Sequence, residues 1–152
     1  MEKLTGHKKV KTAVFISGRG SNLKNLIKFS RTKRSPIIID LIIANKKVEG
    51  LKYARQYRID KTVIRYENVK IAEKKILTLL TQKKINFICL AGFMKVLSKN
   101  FIKKFKGKII NIHPSYLPKY KGLNTSVRAL RNNEKFSGCT VHYVSSKLDS
   151  GK

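Results

Sequence analysis

The sequence predicts an α/β domain of three layers, a mostly parallel sheet with helices on both faces. Three observations carry that expectation. Short apolar runs, such as VKTAVFIS at 10–17 and PIIIDLIIAN at 36–45, alternate with stretches of helical periodicity. The runs are nearly continuous, as in strands buried on both faces of a parallel sheet. Segments of unusual chemistry follow the runs, at the carboxyl ends of strands, where open α/β sheets bind ligands.

In order, residues 10–17 read as a buried strand leading into the turn Gly18-Arg19-Gly20. Residues 22–29 follow as a helix, with Leu23, Leu26 and Ile27 at helical spacing and Ser21 or Asn22 as the natural N-cap. A second strand spans 36–45, apolar on both faces apart from Asp40. A helix over 48–57 places Leu51, Ala54 and Arg55 on related faces, and 62–66 is a short strand. The longest helix covers 69–84, with Ile71, Ala72, Ile76, Leu79 and Leu80 in one stripe and lysines opposite. Residues 85–91 form a fourth strand, 98–105 a short helix, 108–112 a fifth strand, 124–132 a helix and 139–145 a sixth strand. The loops expected at the ligand-binding edge are 18–22, 92–97, 113–122 and 145–151.

The length suits one domain over 10–152 with a basic, flexible leader over 1–9. Apolar residues at 41% and charged ones at 28% describe a globular chain rather than a disordered one. No run is long enough to span a membrane, and the polar start contains no secretory apolar core. Cys89 and Cys139 lie far apart in apolar contexts, without metal-ligand spacing. They read as buried thiols in strands of a reduced, cytoplasmic protein.

The formal charge is +27, from 35 Lys and Arg against 8 Asp and Glu. Such a charge draws in anions and favours nonspecific adhesion to polyanions. Yet the basic residues are scattered rather than gathered into a stripe, and Phe and Tyr fall singly among them. Specific nucleic-acid recognition is therefore not expected.

Three places carry chemistry. In Gly18-Arg19-Gly20-Ser21-Asn22, glycines permit a sharp strand-to-helix turn, and free N–H groups at the helix start can hold a phosphate. The segment lacks the third glycine of a dinucleotide fingerprint and the Gly-Lys-Ser/Thr of a P-loop, and a plain capped turn reads as well. In Asn111-Ile-His113-Pro114-Ser-Tyr-Leu-Pro118, the amide and imidazole lie two residues apart in an extended segment and so face the same way. The prolines end the strand and stiffen the exit. Of the other histidines, His7 lies in the leader and His142 reads as a packed or edge imidazole within a strand. Asp149, in Leu148-Asp-Ser-Gly151, reads either as a turn former or as a carboxylate that meets His113 across the strand ends.

With these places in hand, the chain resembles the phosphoribosylglycinamide (glycinamide ribonucleotide) formyltransferases of purine biosynthesis. The matching blocks occur in the expected order: FISGRGSNL at 15–23, LAGFMKVL at 90–97, INIHPSYLPKYKGL at 110–123, GCTVHYV at 138–144 and LDSG at 148–151. The resemblance implies the Rossmann-like formyltransferase fold and 10-formyltetrahydrofolate as co-substrate, with no metal. It implies that Gly20, Ser21 and Asn22 hold the ribonucleotide phosphate. Met94, Lys95, Val96, Leu97, Asn111 and the loop 145–149 would line the folate site. Asn111, His113 and Asp149 would be the catalytic trio: Asn111 and protonated His113 donate to the oxyanion, and Asp149 keeps His113 charged. The partners implied are small molecules, without membrane or specific nucleic acid, in a monomer or homodimer.

Some positions depart from the family pattern. Lys95 stands where Arg is common, Lys121 where Pro is common, and Asn124 and Ser126 replace frequent histidines. Family members also continue for several dozen residues past the position of Asp149. A truncated chain of weak or absent activity is therefore expected. Methionyl-tRNA formyltransferases share the Asn-x-His, Leu-Pro and Asp elements but open with a Gly-Thr-Pro type of loop. Formyltetrahydrofolate deformylases carry an N-terminal domain for which 1–9 leaves no room. A basic nucleic-acid-binding domain is the alternative from a different class.

Overall fold

The computed structural model describes residues 8–151. Most of the expected leader, His7 included, lies outside the described residues. Lys9, at its end, is tied to the domain: its ammonium donates to the Ser30 and Thr32 carbonyls at 3.0 and 2.7 Å.

Strands and helices alternate as β1 Val10–Ile16, α1 Ser21–Ser30, β2 Ile37–Ala44, α2 Leu51–Tyr57, β3 Asp60–Val63, α3 Val69–Gln82, β4 Phe87–Leu90, α4 Lys99–Lys104, β5 Lys108–His113, α5 Thr125–Arg131 and β6 Thr140–Tyr143. They build one sheet of order β3-β2-β1-β4-β5-β6, parallel except for the antiparallel β5–β6 pair. The chain moves outward from β1 in one direction, then crosses to β4 and moves the other way. The strand ends of β1 and β4 thus flank the topological switch point, the usual place for a ligand in such sheets.

Alternate residues along each strand feed two cores. Phe15, Ile43, Ile88 and Ile109 pack with Ile76 and Leu80 of α3 and Phe101 of α4. On the opposite face, Val14, Ile16, Ile42 and Cys89 pack with Leu23 and Ile27 of α1 and Ala54 of α2. Three layers result, as the apolar runs predict.

Several local expectations are corrected. Gly20, not Ser21 or Asn22, stands at the N-cap of α1; its φ of 77° is left-handed, and no side chain caps the helix. Asp40, the polar interruption in β2, is skipped where the register shifts between Thr12 and Ala13, so it escapes the core and pairs with Lys11 at 3.2 Å. The edge strand β3 begins two residues earlier than expected, because pairing with β2 alone sets it at Leu41↔Asp60. Ile71 is 53% exposed; the buried stripe of α3 is Ala72, Glu73, Ile76 and Leu80. Glu73 turns inward because its carboxylate accepts from the Ser98 amide at 2.7 Å and from the Ser98 hydroxyl, which itself caps α4. Cys89 is buried as expected, whereas Cys139 is exposed, one residue short of β6 on the open edge of the sheet.

Candidate active site

β5 carries its inward residues to the sheet's carboxyl edge. Ile109, Asn111 and His113 share one face, the first still in the core and the last two past it. The antiparallel partner completes the face, because register pairs Asn111 with His142 and His113 with Thr140. Register, not chain proximity, therefore brings the second imidazole to the site.

These side chains border a cavity of about 300 Å³. Its wall includes Met94, Lys95, Val96 and Leu97 after β4, Asn111 and His113 on β5, and the loop 145–149 after β6. The mouth is apolar: Met94, Val96, Leu123 and Leu148 all expose large side chains there.

His113 is buried and engaged at both ring nitrogens. Nε2 donates to the Tyr120 carbonyl at 2.9 Å, and Nδ1 lies 3.4 Å from Asp149 Oδ2. The Tyr120 carbonyl can only accept, so Nε2 carries a proton, and Nδ1 faces the carboxylate. Asp149, 9% exposed, turns its other oxygen towards His142 Nε2 at 3.6 Å. His142 donates from Nδ1 to the Tyr143 carbonyl at 3.0 Å, and its Nε2 lies 3.4 Å from Asn111 Nδ2. His142 is a packed imidazole on the edge strand, as expected, and its Nε2 also stands between the amide of Asn111 and the carboxylate of Asp149. The sequence signal was the alternation Thr140-Val141-His142, with Val141 exposed on the other face.

Gly20, Ser21 and Asn22 do not line this cavity; they stand at the neighbouring strand end. Two hydrogen bonds join the places. The Ser17 amide donates to the Gly92 carbonyl at 3.1 Å, and the Met94 amide donates to Ser17 Oγ at 2.8 Å. With no side-chain cap on α1, the first N–H groups of the helix are left open at that end, a geometry that suits an anion. Close packing requires glycine here, since a Cβ on Gly20 would meet Gly50 Cα at 2.9 Å.

Of the positions that depart from the pattern, Lys95 and Asn124 line the cavity, and Lys121 donates to Ser150 Oγ at 2.6 Å. A family model described as formyl transferase matches residues 10–152. The chain belongs to the formyl transferase family.

Within that family, it is 40% identical to phosphoribosylglycinamide formyltransferase of Haemophilus influenzae over 145 residues, covering 93% of this chain and 68% of that protein. It is 42% identical to the human trifunctional purine biosynthetic protein adenosine-3 over 158 residues, 98% of this chain but 16% of that protein. The chain thus spans about a sixth of the human relative's length. Among solved structures, phosphoribosylglycinamide formyltransferase from Anaplasma phagocytophilum superposes with a TM-score of 0.87 at 40% identity, covering 95% of this chain and 68% of that one. Glycinamide ribonucleotide transformylase 1 from Symbiobacterium toebii gives 0.90 at 31% identity, covering 99% and 73%. No helix among the described residues is long and apolar enough to cross a membrane.

Proposed function

We propose that this formyl transferase family member transfers the formyl group of 10-formyltetrahydrofolate to the amine of glycinamide ribonucleotide, in purine biosynthesis. One observation carries the reading: Asp149 faces His113, with Asn111 on the same strand face, at the wall of an apolar cavity joined to an uncapped helix start. The names of the relatives agree with it.

The apolar mouth and the backbone of 92–97 suit the flat ring system of the folate. The N–H groups at Ser21 and Asn22 together with their side-chain donors, and the Gly20 turn, suit the ribonucleotide phosphate. Between them, the substrate amine attacks the formyl carbon; a C–N bond forms and the carbonyl π pair moves onto oxygen. Asn111 has two N–H groups, of which the His142 contact uses one, so the other serves the oxyanion. The Nδ1–H of a protonated His113, which faces Asp149 Oδ2 at 3.4 Å, is shared with the same oxygen, and Asp149 compensates the ring's charge. Collapse restores the carbonyl and breaks the bond to the folate nitrogen, which takes up the proton lost by the attacking amine. Asp149 and His113 are placed to pass that proton. The acyl donor is already activated, so orientation and oxyanion stabilisation are the protein's main tasks.

Calorimetric titration with glycinamide ribonucleotide tests the reading. Binding to the native protein, weakened by about tenfold or more in Asn22→Leu or Ser21→Ala, supports it. Absence of binding, or binding indifferent to both substitutions, contradicts it.

A further inference from the structure

We propose that Glu134, acting through Tyr120, is a positioning residue for His113. The inference rests on the functional reading above for its kinetic consequence, but not for its structural one.

His113 Nε2 donates to the carbonyl of Tyr120, and that residue adopts a left-handed backbone with φ 55°. A tyrosine does not favour that conformation, so the direction of its carbonyl depends on what pins the residue. The pinning is at the far end of the side chain. Tyr120 Oη donates to Glu134 Oε1 at 2.8 Å and accepts from Asn132 Nδ2 at 3.0 Å. Both partners follow α5, fourteen and twelve residues along the chain. The Arg128 guanidinium covers the Tyr120 ring at 5.3 Å, and Lys119 Nζ lies 3.0 Å from the same Glu134 oxygen. Hydrogen bonds from Lys119 and then Tyr120 hold the Glu134 carboxyl below the usual glutamate range, which keeps it an acceptor.

At the near end the Tyr120 carbonyl itself takes its one short hydrogen bond from His113, while Arg128 Nη1 holds the next carbonyl, that of Lys121, at 2.6 Å. Ser115 Oγ reaches the Tyr120 carbonyl only at 3.4 Å and bonds the Lys119 carbonyl at 2.7 Å instead. Acidic residues number only 8, and this one is spent on a tyrosine hydroxyl behind the proposed catalytic imidazole. Without the Glu134 contact, the ring of Tyr120 loses its acceptor. Its carbonyl then drifts, and the imidazole loses the contact that orients Nδ1 towards Asp149 and the cavity.

The experiment compares Tyr120→Phe, Glu134→Ala and Glu134→Gln in the full chain. Nitrogen-15 spectra of the histidine ring report on His113 Nε2–H, and formyl transfer is assayed alongside. Tyr120→Phe and Glu134→Ala are expected to shift the His113 Nε2 resonance and speed exchange of its proton. They are also expected to lower kcat about tenfold with both KM values within about twofold. Glu134→Gln keeps an acceptor and restores the native resonance. A resonance unchanged in both Tyr120→Phe and Glu134→Ala overturns the proposal, as does a rise in KM with kcat unchanged. If the native chain transfers no formyl group, the calorimetric titration decides the functional reading, and the ring spectra still decide the positioning role. Tyr120→Phe preserves the packed ring, so it answers the question even if Glu134→Ala fails to fold.

Discussion

The carboxylate of Asp149 accepts a hydrogen bond from the backbone amide of Gly122 at 2.9 Å. The loop after β6 is thereby fastened to the loop after β5, and Oδ2 is held where it faces His113. Gly122 has φ 83°, so the donor's direction comes from a backbone conformation that suits glycine. The aim of the acid is fixed from outside its own loop.

Asp149→Asn tests that aim. The amide keeps the volume but removes the charge opposite His113 and sets an N–H where Oδ1 or Oδ2 accepted. Formyl transfer is expected to fall on the order of 100-fold in kcat, with affinity for glycinamide ribonucleotide nearly unchanged. Kinetics and calorimetry on the same variant check it; equal kcat values would sink the assigned role.

The two thiols are expected to behave oppositely. Burial pushes Cys89 up to about 12, so it forms little thiolate at neutral pH, while Cys139 is exposed. A thiol reagent at about pH 8 is therefore expected to modify one cysteine quickly in the folded chain and the second only on unfolding. Peptide mapping identifies which; rapid labelling of Cys89 would contradict the packing described.

The wall formed by residues 92–97 depends on the start of α4. Ser98 caps that helix by accepting from the Phe101 amide at 3.0 Å, while Glu73 holds Ser98 from α3. Ser98→Ala is expected to cost about 1–2 kcal/mol. Glu73→Ala leaves the Ser98 amide without that acceptor and costs about 1–3 kcal/mol. Urea unfolding measures both.

The interior strands are legible because runs such as Val14-Phe15-Ile16 and Leu41-Ile42-Ile43 are short, continuous and rich in β-branched residues, as in strands buried on both faces. In the fold, Phe15, Leu41 and Ile43 enter one core, and Val14, Ile16 and Ile42 the other. Asn111 and His113 are legible for a related reason, since alternation alone puts them on one face. What stays hidden depends on pairing. The register of β6 against β5 sets His142 opposite Asn111, a pairing between residues 31 apart in the chain. The inward turn of Glu73 is equally hidden, because its partner Ser98 is 25 residues away. Gly20 escapes notice as the cap because side-chain oxygens are the usual signal, whereas here no side chain caps the helix.

The formal charge of +27 predicts adhesion to polyanions without sequence preference. Binding of an unstructured RNA is expected to weaken about 1000-fold as salt rises from roughly 50 to 200 mM. Fluorescence anisotropy with two unrelated sequences checks it. Salt-resistant, sequence-selective binding would favour the nucleic-acid reading instead.

The most direct measurement is a single-turnover assay with both substrates saturating, comparing the native chain with His113→Asn. The account predicts a first-turnover rate lower by about 100- to 1000-fold, with ribonucleotide affinity retained. Equal rates in the two proteins would contradict it.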